Sequence, residues 1–111
     1  MEEVVSSDLR TGLKKRLIKR LYKIPGSQEY PGRLKFCVQY LYLKDGENEE
    51  WLEIVRIDNY LHENKTRSHI HFFNKDKVKW VDLTFQEAES EVIRLGDKVV
   101  DLLEGEKNGK D

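Results

Sequence analysis

The segment LKFCVQYLYLK, residues 34–44, decides the fold class. Its even-numbered positions are apolar: Leu34, Phe36, Val38, Tyr40 and Tyr42. Lys35, Cys37, Gln39 and Leu41 alternate with them. Because successive side chains of a β-strand point to opposite faces of its sheet, this alternation predicts a strand with one apolar face. Such a strand needs neighbours and a second layer packed against that face.

Three further strands are predicted downstream, at residues 51–58, 68–73 and 78–83. The turn from Lys44 to Asn48 contains Asp45-Gly46, a pair that favours tight hairpins, and residues 74–76 form another turn. Strands that follow one another through short connections usually pair with each other. The sequence therefore predicts a four-stranded antiparallel meander.

A long C-terminal helix is predicted after Thr84, which forms a capping box with Glu87. Behind the cap, apolar residues recur at steps of three and four: Phe85, Ala88, Val92, Leu95, Val99 and Leu102. Gly105 marks the expected end of the helix. We expect the apolar stripe to cover one face of the sheet, with a helix-to-helix dimer contact as the alternative.

A second helix is predicted near the N-terminus, because Leu9, Leu13, Leu17 and Leu21 recur every four residues after the candidate caps Ser6 and Ser7. Its other faces would carry seven basic residues: Arg10, Lys14, Lys15, Arg16, Lys19, Arg20 and Lys23. A loop at residues 25–32 follows. Residues 1–111 then form a single α+β domain, frayed at residues 1–5 and 106–111.

The overall charge is balanced but unevenly placed. Of 111 residues, 38% are hydrophobic and 37% charged, with a formal net charge of −1, which argues against coating nucleic acid by bulk charge. Residues 10–23 are basic and residues 82–106 are acidic. We expect the basic helix to be a solvated face, a surface that follows phosphates, or a surface that docks on the acidic helix of a second copy in a homodimer.

Cys37 is the single cysteine, which excludes an internal disulfide and a cysteine-rich zinc module. Its apolar neighbours predict a buried structural thiol. No apolar run approaches the roughly 20 residues of a membrane-spanning helix, and the N-terminal residues lack a signal-peptide core. We therefore expect a cytoplasmic protein without a membrane partner.

The three histidines of the chain, His62, His69 and His71, lie within ten residues. His69 and His71 are two apart in one predicted strand, and Arg56 and Asp58 are two apart in the preceding one, so each pair shares a sheet face. If these strands form a hairpin, the two pairs come close together. His62 and Arg67 belong to the connecting loop.

This cluster has three interpretations. A ribonuclease that needs no cofactor could use His69 and His71 as the acid–base pair, with Asp58 orienting a histidine and Arg56 stabilising developing charge. A divalent transition metal could instead be bound by His62, His69 and His71, with Asp58 as a further ligand. A purely structural pairing of Arg56 with Asp58 is the third interpretation.

The basic surface carries a separate hypothesis. Together with Arg67, the seven basic residues would bind RNA, and the protein could be a nucleic-acid or protein binding module without catalysis. The chain has no phosphate-binding P-loop, no nucleophile elbow and no HExxH motif. P-loop nucleotide hydrolysis, serine hydrolysis and zincin proteolysis are therefore not expected.

The stretches Arg56-Ile57-Asp58-Asn59-Tyr60-Leu61-His62 and Ser68-His69-Ile70-His71-Phe72 resemble the signature of a small prokaryotic family that includes TumE-type toxins of toxin–antitoxin pairs. The resemblance covers roughly residues 34–103 and departs from the family pattern at Tyr60-Leu61, where a proline and a second histidine are expected. It implies a small toxin that acts on RNA and is neutralised by an antitoxin protein.

Overall fold

The computed structural model of the chain describes residues 1–26, 30, 32, 34–44 and 49–107. This part of the chain contains six strands followed by one helix. They are β1 (Glu2–Arg10), β2 (Lys15–Lys23), β3 (Leu34–Lys44), β4 (Glu50–Asp58), β5 (His69–Phe72), β6 (Lys79–Trp80) and α1 (Phe85–Lys107). All strands belong to one antiparallel sheet in the order β1-β2-β3-β4-β5-β6. The predicted α+β class and C-terminal helix are confirmed, but the prediction of four strands is wrong.

The predicted N-terminal helix is also wrong, because residues 2–23 form the hairpin β1–β2. A spacing of four residues is an even number, so it keeps side chains on one face of a strand as well as on one face of a helix. Leu9 lies opposite Leu17 across the hairpin, whereas Leu13 falls in the turn and is 93% exposed. The β-branched Val4, Val5 and Ile18, which pack well in sheets, favour the strands.

Most cations of the predicted basic helix are paired with carboxylates. Lys15 contacts Asp97 at 3.1 Å and Lys19 contacts Glu89 at 3.1 Å, so the basic segment meets the acidic helix within one chain. Arg16 donates to both carboxylate oxygens of Asp8 through Nε and Nη2, and Arg10 lies 3.5 Å from Glu49. The proposed docking of a basic helix on a second copy therefore has no structural basis.

The core lies between the sheet and α1. The alternation predicted for β3 is confirmed, since its buried apolar side chains join those of β4 and α1 in one cluster: Phe36, Val38, Tyr40, Tyr42, Ile54, Val55, Ile57, Ala88, Val92 and Val100. The apolar stripe of α1 therefore packs on its own sheet. Cys37 is buried, as predicted.

The capping box at the start of α1 is confirmed. The Glu87 amide donates to the Thr84 hydroxyl at 3.2 Å, and the Glu87 carboxylate accepts the Thr84 amide at 2.9 Å. At its other end the helix continues to Lys107, beyond the expected end at Gly105. No helix among the described residues is both long enough and apolar enough to cross a membrane.

Replacing Thr84 with alanine should lower the free energy of unfolding by about 1 kcal/mol, because the Glu87 amide loses the hydroxyl that accepts its hydrogen bond. Chemical denaturation of the wild type and the variant measures this difference. Thr84→Ser keeps the hydroxyl and is the control, with an expected loss of a few tenths of a kcal/mol at most. Equal destabilisation by both variants would contradict the capping role.

The last of the predicted strands was predicted too long. The strand predicted at residues 78–83 is reduced to Lys79–Trp80. Beyond it, the Val81 amide still donates to the Ser68 carbonyl at 2.9 Å, and the Ser68 hydroxyl donates to the Val81 carbonyl and accepts the Leu83 amide, both at 2.8 Å. A side chain thus takes over part of the strand pairing. The predicted turn at residues 45–48 lies outside the described residues.

Candidate functional site

The face of the sheet opposite α1 carries the histidine cluster. In the β4–β5 pair, Arg56 lies opposite His71 and Asp58 lies opposite His69. Because the pairs are each two residues apart, all four side chains project from the same face. The structure thus brings together the four strand residues that the sequence analysis places there.

Asp58 is the centre of this cluster and is 2% exposed. Its Oδ2 accepts a hydrogen bond from Arg56 Nε at 2.9 Å and lies 3.5 Å from His71 Nε2. Its Oδ1 accepts the Tyr60 amide at 2.9 Å and lies 3.2 Å from His69 Nε2. A buried carboxylate is costly unless it is paired in this way, so these contacts hold the ring nitrogens of both histidines around one acid.

His69 lies deepest of the three histidines and is 1% exposed. Its Nδ1 is 2.9 Å from the backbone carbonyl of Arg67. A carbonyl can only accept, so Nδ1 carries a proton, and the opposite nitrogen faces Asp58. Both ring nitrogens are thereby engaged within the protein.

His71 is half-buried, with 24% of its side chain exposed. Burial and the positive charge of Arg56 lower the pKa of His71 below that of a free imidazole, whereas Asp58 opposes this shift. The neutral ring is therefore favoured. A neutral half-buried imidazole beside a carboxylate is the arrangement of a proton acceptor.

His62 completes the cluster from the loop between β4 and β5. Its ring stacks on that of His69 with the centroids 5.1 Å apart and meets His71 edge-on at 5.9 Å. The backbones of His62 and Lys65 pair around Glu63 and Asn64, whose φ angles are 51° and 64°. Positive φ at both central residues is typical of a type I′ turn, and it is strained for a glutamate. This tight turn folds His62 back over the sheet.

A cavity of about 340 Å³ opens beside these side chains. It is lined by Arg20, Cys37, Gln39, Arg56, Asp58, Tyr60, Leu61, His62, His69 and His71. Arg20 reaches it from β2 and donates to the Ser6 hydroxyl at 3.2 Å. Among the described residues, no carboxylate forms an ion pair with Arg20, so its charge remains available to an anion in the cavity.

Of the eight residues predicted to bind nucleic acid, Arg20 lines the cavity. Arg67 instead binds Asp82 at 3.1 Å and supplies the carbonyl that orients His69. The others lie on the hairpin, where four of them pair with carboxylates as described above: Arg10, Lys15, Arg16 and Lys19. The predicted basic surface is therefore largely neutralised.

Four residues that line the cavity were not predicted from the sequence: Cys37, Gln39, Tyr60 and Leu61. Cys37 lies opposite Asp58 and Gln39 opposite Arg56 across the β3–β4 pair, and the Tyr60 amide binds Asp58. The alternation in residues 34–44 already places Cys37 and Gln39 on one sheet face. That this face is the one that carries Asp58 and Arg56 follows only from the pairing register of β3 and β4. Burial raises the pKa of the Cys37 thiol to about 12, so the thiol stays protonated at neutral pH.

Within the described residues, Asp58, His69 and His71 also offer ligand atoms that all lie within 4.8 Å of one another. A carboxylate and two imidazoles are ligand types that transition metals accept. His62, which the sequence analysis included in the metal alternative, lies beside this group but outside it. The same side chains can thus serve proton transfer or ion binding.

Comparison with protein-family models, with curated proteins and with solved structures finds no match to this chain. The candidate function consequently depends on the geometry of the cavity.

Proposed function

We propose that this protein is a toxin-like ribonuclease that cleaves RNA without a metal ion and is neutralised by a partner antitoxin. The observation that carries the proposal is the convergence of three imidazoles and two guanidiniums on one cavity above the buried Asp58. The local resemblance of residues 56–62 and 68–72 to TumE-type toxins supports the toxin role.

The reaction is an internal transphosphorylation of RNA. The 2′-hydroxyl oxygen attacks the adjacent phosphorus as its proton passes to a base, and the bond to the 5′-oxygen of the next nucleotide breaks as that oxygen takes a proton from an acid. The products are a 2′,3′-cyclic phosphate and a free 5′-hydroxyl. This chemistry needs a base, an acid and a cation near the phosphate.

His71 is the proposed base. Its Nε2 faces Asp58 Oδ2, so the carboxylate favours a proton on that nitrogen and leaves the lone pair on Nδ1 free to accept another. His62 is the proposed acid, because it is the most exposed of the three imidazoles and lies at the cavity within 5.9 Å of His71. The sequence predicted His69 as the acid or the base. Its ring instead packs against the rings of His62 and His71, so we assign it the positioning of these two residues.

Arg20 is the proposed cation for the phosphate. It lines the cavity and is held by a neutral hydroxyl, so an anionic phosphate can take its full charge. Arg56 donates to Asp58 and lies 3.4 Å from Glu53, so its charge is shared with two carboxylates. We therefore assign Arg56 the positioning of Asp58 and Arg20 the stabilisation of developing negative charge.

The test is cleavage of a short single-stranded RNA by the untagged protein in buffer with EDTA. We expect cleavage that yields a 2′,3′-cyclic phosphate, and no cleavage of the same strand made as DNA, because DNA lacks the attacking 2′-hydroxyl. An RNA with one 2′-deoxy nucleotide at the cleaved position is the matched substrate control. Equal cleavage of that strand, or activity that requires an added metal, would contradict the mechanism.

The toxin role has its own test. Induced expression in a bacterial host should arrest growth, and the His71→Ala variant at the same expression level should not. Binding of RNA without cleavage or growth arrest would instead support the non-catalytic binding module that the sequence left open.

A further inference from the structure

We propose that Asp58, His69 and His71 form a binding site for a divalent transition-metal ion, best suited to zinc, and that the bound ion inhibits cleavage. The site follows from the geometry of the three side chains alone. The inhibition rests on the proposed ribonuclease function, because it requires that the same cavity carry out the cleavage.

The spacing of the donor atoms fits a small tetrahedral ion. Asp58 Oδ1 and His69 Nε2 are 3.2 Å apart. Two atoms at this separation, each about 2.0–2.1 Å from a zinc ion, subtend an angle of about 100° at the metal, close to the tetrahedral value. His71 Nε2 lies 3.5 Å from the other oxygen of the same carboxylate and completes a set of three ligands within 4.8 Å.

The orientation of His69 is that of a metal ligand. The Arg67 carbonyl fixes a proton on Nδ1, so in the neutral ring the lone pair sits on Nε2 and points at Asp58 Oδ1. Two atoms of this kind that face each other across 3.2 Å need either a proton or a metal ion between them, and this spacing suits both. A histidine whose far nitrogen donates to a backbone carbonyl is the usual outer arrangement of a metal site, because it orients the ligating nitrogen.

The types of ligand select the ion. Two imidazoles and one carboxylate suit zinc and its neighbours among the transition metals, whereas magnesium and calcium prefer oxygen ligands. Each oxygen of Asp58 already accepts one hydrogen bond, Oδ2 from Arg56 and Oδ1 from the Tyr60 amide. Oδ1 is the oxygen closer to a histidine nitrogen, at 3.2 Å against 3.5 Å, so we expect the ion to bind through Oδ1. Three protein ligands leave one position of the metal open toward the cavity.

An ion at this position would stop the proposed reaction for a local reason. It would hold His71 by a lone pair and fix the ring, and it would occupy the cavity floor beside the proposed base. Removal of the ion by a chelator should restore cleavage. The proposed ribonuclease would then be active in EDTA and inhibited by zinc, which is the reverse of a metal-dependent nuclease.

Calorimetric titration of the untagged full chain with zinc chloride tests the binding. We expect one zinc ion per chain and no comparable binding of magnesium chloride. His71→Ala should bind zinc at least about 100-fold more weakly, since removing even a partner outside the ligand set lowers metal affinity 10- to 100-fold. Cys37→Ala is the matched control: Cys37 lines the same cavity and carries a thiol that could bind zinc, but it lies outside the ligand group. Its affinity should equal that of the wild type.

A second measurement uses the wild type alone, in case a variant fails to fold. In nuclear magnetic resonance spectra, zinc should shift the Nε2 signals of His69 and His71 and leave the Nδ1 proton of His69 in place. Absence of stoichiometric binding, binding that survives His71→Ala, or binding lost in Cys37→Ala would overturn the site. Zinc bound at these ligands with undiminished cleavage would overturn the inhibition, whereas zinc bound by a chain that never cleaves RNA would refute the ribonuclease proposal and leave the site intact.

Discussion

Replacing His71 with alanine should lower the rate of RNA cleavage by about 10²- to 10⁴-fold, the usual contribution of a positioned general base. The reason is that the variant loses the one imidazole that is half-buried beside Asp58 and still faces the cavity. Single-turnover cleavage of a labelled RNA in EDTA measures the change. The thermal unfolding midpoint, measured in parallel, shows whether the variant is folded.

The double variant His62→Ala with His71→Ala separates catalysis from general damage to the cavity. If His62 and His71 act in one proton-transfer step, the double variant should be little slower than either single variant, because residues that act as a unit have non-additive effects. Arg94→Ala is the surface control, because it removes an exposed charge from α1, on the sheet face opposite the cavity. This variant should cleave at the wild-type rate. Cleavage by a folded His71→Ala variant at the wild-type rate would refute the assignment of the base.

The convergence of the site could be predicted because it needs only local rules. The i, i+2 spacing of Arg56 with Asp58 and of His69 with His71 places each pair on one face of its strand, whatever the rest of the fold does. A short connection then makes an antiparallel hairpin the simplest pairing, and the observed register sets Asp58 opposite His69. Their catalytic role remains a prediction.

The depth of each side chain could not be predicted in this way. His69 and His71 are equivalent in the alternation, yet the structure buries His69 beneath His62 and beside Trp80, whose rings lie 5.1 Å and 5.0 Å from its own. That difference arises from the turn at Glu63 and Asn64, whose positive φ angles are unusual for these residue types, and from the pairing of β6. No pattern of residues therefore favours assigning proton transfer to His62 rather than to His69.

The N-terminal segment was misinterpreted for a different reason. Leucines at intervals of four fit both a helix and a strand, and the cluster of cations suggested a surface that binds phosphate. In the hairpin, two of those cations bind carboxylates of α1, so much of the basic charge holds the fold together. Arg20 lies opposite Cys37 in the β2–β3 strand pair, and this position places it at the cavity. A helix at residues 10–23 would not have formed that strand pair.

At Gly96 the backbone of α1 lies close against the sheet. A Cβ atom at this position would lie less than 3.0 Å from three atoms of the Tyr40 ring, a separation that real Cβ atoms do not tolerate. The ring cannot move aside easily, because Tyr40 is 2% exposed and its hydroxyl donates to Asp97 at 2.6 Å. Gly96 is thus the position where the helix can pack directly on β3.

Gly96→Ala should therefore lower the free energy of unfolding by about 1–3 kcal/mol, the usual range for an overpacked core, although alanine is intrinsically favoured in helices by roughly 0.5–1 kcal/mol. Gly105→Ala is the matched control on the same helix, since its new methyl group meets nothing within 4 Å. That variant should gain up to about 0.5 kcal/mol from helix propensity alone. Urea denaturation measures the change in the free energy of unfolding of each variant, and we expect the two changes to have opposite signs. A Gly96→Ala variant as stable as Gly105→Ala would show that α1 does not lie against Tyr40.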